Sequence, residues 1–110
     1  MKITGVPFSV VDWSSVKAVE HKGETGTSFW RTVEVGNIRV RKVDYSDGFR
    51  LDHWCARGHV GLVLEGEFTI KLKDGREFVL GPGQGFQVED DESNPHWLST
   101  RVKTSIFLVD

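Results

Sequence analysis

Cysteine is nearly missing from this sequence. Cys55 is the only one, so no disulfide can form within the chain, and a reducing, cytoplasmic setting is expected. Long apolar runs are missing too: none approaches the roughly 20 residues of a membrane helix. The opening Met1-Lys2-Ile3-Thr4-Gly5 also lacks the apolar stretch of a secretion signal. A soluble chain with no membrane partner is the expectation. Charge of one sign is absent as well, with 14 Lys and Arg against 16 Asp and Glu and a net charge of −2. That balance cannot supply the basic field a phosphate backbone requires, which argues against nucleic acid as a partner. The nearest thing to a basic patch, Arg39, Arg41 and Lys42, has Glu34 and Asp44 close by.

Helix signals are scarce, while 12 glycines punctuate short stretches rich in Val, Ile, Phe, Leu and Thr. That pattern predicts many short antiparallel strands. We expect them near Phe8 to Val11, Ser28 to Val35, Ile38 to Tyr45, Leu51 to Cys55, Val60 to Leu64, Glu67 to Leu72, Glu77 to Leu80, Gly85 to Val88, His96 to Thr100 and Thr104 to Val109. Gly36-Asn37 and Asp74-Gly75 read as tight hairpin turns. Asp12 to Lys17 is the one expected helical turn, capped by Asp12 or Ser14. Val60 to Leu64 and Ile106 to Val109 are apolar on both faces, so something must cover their outer side. The N-terminal segment with Phe8, Val10 and Val11, or a second subunit, is the expected cover.

Three of the 4 histidines and the only cysteine fall where chemistry is plausible. His53 and Cys55 are two apart on an expected strand and so share a face, His59 follows next to the following strand, and His96 opens a later one. Imidazole and thiolate are ligands for zinc, iron, nickel or copper. The alternative for each residue is a packed core side chain. His21, beside Lys22 and Gly23, reads as a surface residue. With these four facing inward, Gly61, Val63 and Leu98 share the interior, while Trp54, Leu62, Leu64 and Trp97 form an outer patch suited to an interface. Gln87, Tyr45, Arg39 and Arg41 are candidate substrate contacts, and Tyr45 shares strand parity with both arginines. If that face turns inward an anionic substrate is expected; if outward, they are solvated charges. No Ser-His-Asp order is present, and Gly81-Pro82-Gly83-Gln84-Gly85 lacks the strand-to-helix context and lysine of a phosphate-binding loop.

The stretch from Asp52 to His96 resembles the cupin superfamily. Its first motif, G-x5-H-x-H-x3-4-E-x6-G, is matched by Gly48, His53, Cys55, His59 and Gly66, with one residue fewer after the first Gly. Cys55 stands in place of the second His and His59 in place of the Glu. Its second motif, G-x5-P-x-G-x2-H-x3-N, is matched in span by Gly85 to His96, with Asp91, Ser93 and Thr100 replacing Pro, Gly and Asn. Pro82-Gly83-Gln84 is similar to the family's Pro-Gly-Asp turn, which offers Gly83 as the alternative first glycine. Leu62-Val63-Leu64-Glu65-Gly66-Glu67 is similar to a phrase between the motifs. Asp52-His53-Trp54-Cys55 resembles a group of bacterial cupin-fold proteins with a "DHCW" motif, its last two letters transposed here. That match extends to His21-Lys22-Gly23-Glu24-Thr25-Gly26 and Trp30-Arg31-Thr32.

The resemblance implies an all-β fold, a cupin-type double-stranded β-helix or jelly-roll barrel of two antiparallel sheets. It would form one cupin domain over residues 1–110, with segment 1–35 packing on a core barrel of 36–110. It further implies a homodimer and one divalent metal at the wide end of the barrel, held by His53, Cys55, His59 and His96. The His and Cys set is softer than the family's usual ligands and favours zinc, iron, nickel or copper. Four bound ligands would close a zinc site, whereas a free Cys55 would leave a position open for water or substrate. An apolar pocket with no metal is a third possibility. The function expected is a metal-dependent enzyme of dioxygenase, isomerase or lyase type acting on a small polar or anionic metabolite. The alternative is a non-catalytic module that binds a small effector, with or without metal.

Overall fold

A computed structural model describes residues 2–110, so Met1 of the expected domain lies outside the described residues. The strands are β1 (Val19–Lys22), β2 (Thr27–Val35), β3 (Ile38–Tyr45), β4 (Phe49–Arg50), β5 (His59–Glu65), β6 (Phe68–Leu72), β7 (Glu77–Leu80), β8 (Gly85–Val88), β9 (His96–Thr100) and β10 (Thr104–Val109). They form a six-stranded sheet in the order β1-β2-β3-β10-β5-β8 and a four-stranded sheet in the order β4-β9-β6-β7. All named pairings are antiparallel. Among the described residues, no helix is long and apolar enough to cross a membrane.

Side-chain alternation makes the interior. Val43, Val63 and Ile106 are fully buried, and the register puts Ile106 opposite Val43 on one side and Val63 on the other. Burying each such side chain contributes about 1.5–3 kcal/mol. Moving two residues along each strand gives a second inward row of Arg41, Leu108 and Gly61. One step further, Asp110 exchanges backbone hydrogen bonds with Arg39, N–H to O distances being 2.6 and 2.9 Å, on the line that continues to His59. The sheet therefore passes from a dry row to a charged one as it approaches one end of the barrel. On the facing sheet Phe68 and Ile70 of β6 turn inward and Lys71 outward.

The two expected hairpins form. β2 and β3 pair down to Val35 and Ile38 around Gly36-Asn37, and Gly36 takes φ +54°, open to glycine. Its turn also receives the N-terminal chain, since Asn37 donates to the Lys2 carbonyl (2.7 Å) and accepts from the Thr4 N–H (2.9 Å). A Cβ on Gly36 would lie 2.2 Å from the Thr4 carbonyl oxygen.

Several local expectations are corrected. Phe8 to Val11 is not a strand: no strand pairs with it, and Phe8 and Val10 are 94% and 85% exposed. It does not cover the outer sheet. That contact falls to Trp13, in a short 3-10 turn (Trp13–Ser15) capped by Asp12, whose ring meets Phe107 edge-on at 6.1 Å. β1 was not anticipated, because its four residues are all exposed and show no alternation; only its backbone ladder with β2 defines it. The expected strand Leu51 to Cys55 does not form: the strand there, β4, ends at Arg50, and within Leu51 to Cys55 only Cys55 makes a bridge, to His96. The expected outer patch also divides. Leu62 and Leu64 lie on β5, whereas Trp97 is on β9 of the other sheet and Trp54 lies on the segment between β4 and β5, beneath Lys73 at 4.5 Å.

Gly61 offers a test of this packing. A Cβ there would meet the Phe86 ring at 2.4 Å, and that ring is stacked on Phe68 at 5.8 Å. Gly61→Ala should cost about 1–3 kcal/mol through overpacking, measured as a lowered urea midpoint. An unchanged midpoint would show that Phe86 swings aside freely.

Candidate metal centre

The chain crosses from the four-stranded sheet to the six-stranded one between Arg50 and His59, and Cys55 sits on that crossing. Cys55 is fixed opposite His96 by paired backbone bonds of 2.7 and 2.8 Å. His59 enters from the other sheet as the first residue of β5. One ligand atom from each of Cys55, His59 and His96 lies within 4.8 Å of the others. The Cys55 Sγ to His59 Nε2 separation is 3.8 Å, and the two imidazoles meet at 80° with centroids 5.3 Å apart. Donors around a tetrahedral ion with bonds of about 2.0–2.3 Å stand about 3.3–3.8 Å apart. The group matches that spacing with a small inward adjustment, and its thiolate and imidazoles are the donors that transition metals take.

Behind His59 lies a residue that strand reasoning missed. Asp110 Oδ2 is 2.9 Å from His59 Nδ1, and the Asp110 side chain is only 4% exposed. Arg39 grips the same carboxylate in bidentate fashion at 2.9 and 2.7 Å, Arg41 Nη2 reaches it at 3.3 Å, and the more exposed Arg57 lies at 3.5 Å. Burial pushes Asp110 towards the neutral acid, but the Arg39 hydrogen bonds and the Arg41 and Arg39 charges prevail and hold its carboxyl down at about 2. Asp110 is thus an ionised, acceptor-only group. Burial pulls His59 down to about 4, with Asp110 opposing and Arg41 and His96 adding to the fall. A neutral imidazole beside an ionised carboxylate must carry its proton on Nδ1, which leaves the Nε2 lone pair aimed towards Cys55 and His96. Carboxylates commonly orient metal-binding histidines in this way. Burial lowers His96 as well, so both rings offer neutral donors. The available signal was parity: Asp110 continues the inward series Thr104, Ile106, Leu108.

The other sequence-predicted residues separate. His53 is not brought to the cluster; its imidazole is 65% exposed at the cavity mouth, with Nδ1 2.7 Å from Asp52. The physical reason is the lost strand: with no ladder over Leu51 to Cys55, the two-residue parity that aligned His53 with Cys55 does not operate. Arg39, Arg41 and Tyr45 do turn inward and line a cavity of about 440 Å³ together with Cys55, His59 and His96. Gln87 is opposite the outward Val60 and does not line that cavity. His21 is exposed, as expected, and its ring lies tilted against Trp30 with centroids 4.1 Å apart at the edge of the cavity.

No protein-family model matches the sequence, and no curated protein matches it. Solved structures do. A polyketide cyclase, RemF from Streptomyces resistomycificus, has a TM-score of 0.73 at 23% identity, covering 94% of this chain and 78% of its own. An RmlC-like cupin from Shewanella frigidimarina has a TM-score of 0.70 at 17% identity, covering 94% and 89%. Fe(II)-HppE with an alternative substrate has a TM-score of 0.73 at 15% identity; the match covers 94% of this chain and only 60% of that one. The architecture is that of the cupins, an all-β jelly roll of two antiparallel sheets, as the sequence motifs led us to expect. Such folds include metal-dependent enzymes, and this chain presents a Cys/His/His group of the kind that holds a metal.

Acid should weaken this end of the barrel in two stages. His59 falls from its ordinary 6.5 to about 4, so the unfolded chain takes up the proton first and stability declines as pH drops through that interval. Asp110, lowered from 3.8 to about 2, contributes roughly 2 kcal/mol above that range, which is lost as pH falls through it. Denaturant unfolding followed from neutral pH into acid checks both signs. In Asp110→Asn the lower stage should disappear.

Proposed function

We propose that this chain is a small metal-dependent enzyme with one divalent transition metal bound by Cys55, His59 and His96, acting on a small polar or anionic metabolite in the adjoining cavity. The observation that carries the reading is the convergence of these three donors from two sheets, with Asp110 fixing the tautomer of His59. The softness of the set favours zinc, iron, nickel or copper, and the iron of Fe(II)-HppE is a precedent within the same fold. His53, the fourth ligand expected from the sequence, is left out of this assignment.

A metal bound there would supply Lewis acidity, or one-electron chemistry if it is iron or copper. The protein's part follows from its own residues. Asp110 holds the Nδ1 proton of His59 and keeps Nε2 free, Cys55 offers its sulfur, and Phe68, Phe86 and Leu98 line the cavity with apolar surface. Burial pushes the Tyr45 phenol well above its ordinary value, so it stays a neutral O–H donor towards whatever the cavity holds.

Elemental analysis of protein purified without an affinity tag tests the assignment. Near one equivalent of a transition metal is expected, with binding weakened at least about a hundredfold in His59→Ala and His96→Ala. His53→Ala should retain the metal. A preparation that takes up no added metal, or one in which His53→Ala empties the site, would contradict the proposal.

A further inference from the structure

The interior around Asp110 has more positive charge than it can match. Two inward guanidinium groups, Arg39 and Arg41, and the more exposed Arg57 share one carboxylate. Arg39 satisfies itself with two short bonds to Asp110. Arg41 does not: its side chain is 5% exposed, its single contact with Asp110 is the longer one at 3.3 Å, and its buried Nε–H has no acceptor. Its guanidinium is instead laid over the Trp30 ring, 4.6 Å from the centroid. A buried charged donor without an acceptor is costly. The Arg41 residue also lines a cavity whose other walls include Phe68, Phe86 and Leu98. Asp52, the other carboxylate on the cavity, lies at its mouth and is bound to His53.

We propose that the cavity binds a small monocarboxylate with an apolar body, its carboxylate on Arg41 with Tyr45 as a second donor, and its apolar body against Phe86 and Leu98. The carboxylate end of such a molecule lies on the His59 side, because Arg41 and His59 meet the same oxygen of Asp110. Arg41 is the buried guanidinium left short of acceptors, and one carboxylate supplies the oxygens it lacks. The planar guanidinium suits the two oxygens of a carboxylate, whereas a neutral amide offers one acceptor oxygen and turns an NH2 donor towards the cation. This names the substrate class for the small-molecule site proposed above, but the anion contact itself is independent of the metal.

Calorimetric titration of hydrocinnamate and hexanoate against their neutral amides tests the proposal, using both native protein and chelator-stripped His96→Ala. At least one acid should bind about tenfold or more tightly than its amide. That preference should persist in the stripped variant and shrink to near parity in Arg41→Gln. Should Arg41→Gln not fold, NMR of the wild-type chain gives the same answer. The acid, and not the amide, should shift the Trp30 indole N–H, assigned by its loss in Trp30→Phe. Parity of acid and amide in both pairs, absence of binding by either acid, or an unmoved Trp30 signal would overturn the proposal. A preference that vanishes with the metal would also overturn it, since the metal and not Arg41 would then hold the carboxylate, leaving the metal centre intact.

Discussion

A carboxylate sealed between two arginines and a histidine is the constraint on which this end of the barrel depends. Taking an ion out of water costs several kcal/mol, and only good geometry offsets it. Asp110 meets that condition through the bidentate grip of Arg39, the charge of Arg41 at 3.3 Å and the Nδ1 proton of His59. Three consequences follow from one group. The end of β10 is fastened to β3, the imidazole of His59 is held in one tautomer, and Arg41 is drawn inward without being fully satisfied. Strand fastening, the tautomer of His59 and the placement of Arg41 thus share a single buried pair of oxygens.

The chemistry is divided between the two sheets. His59 belongs to the sheet that carries Asp110 and the arginines, while Cys55 and His96 are paired on the other. Neither sheet alone brings the three donors together, so closing the barrel assembles the site and a bound metal would in turn favour the closed barrel. Apolar rows such as Val43, Ile106 and Val63 set the distance between β3, β10 and β5 on which the polar row rides.

Much of this was legible in the sequence for physical reasons. β3, β7, β8, β9 and β10 lie where alternation and turn residues place them, and Cys55, His59 and His96 do converge. Where alternation carries no information, the reading breaks down. β1 has no buried face to show, and Phe8 to Val11 has strand-like residues but no partner. Over Leu51 to Cys55 the β-branched and aromatic content was too thin to decide between a strand and a crossing loop, and that cost the placement of His53. Asp110 was overlooked because a single acid after an apolar strand reads as a solvated end. Its role becomes visible only when β10 is set between β3 and β5, so that one inward residue meets Arg39 and His59 together.

Cobalt(II) titration of metal-free protein, followed by absorption, addresses the central claim most directly. The account predicts a thiolate-to-metal charge-transfer band that saturates at one equivalent and is lost in Cys55→Ser, because sulfur and two imidazoles would hold a single ion. Binding without that band, or no saturation at one equivalent, would contradict a metal centre built on Cys55, His59 and His96.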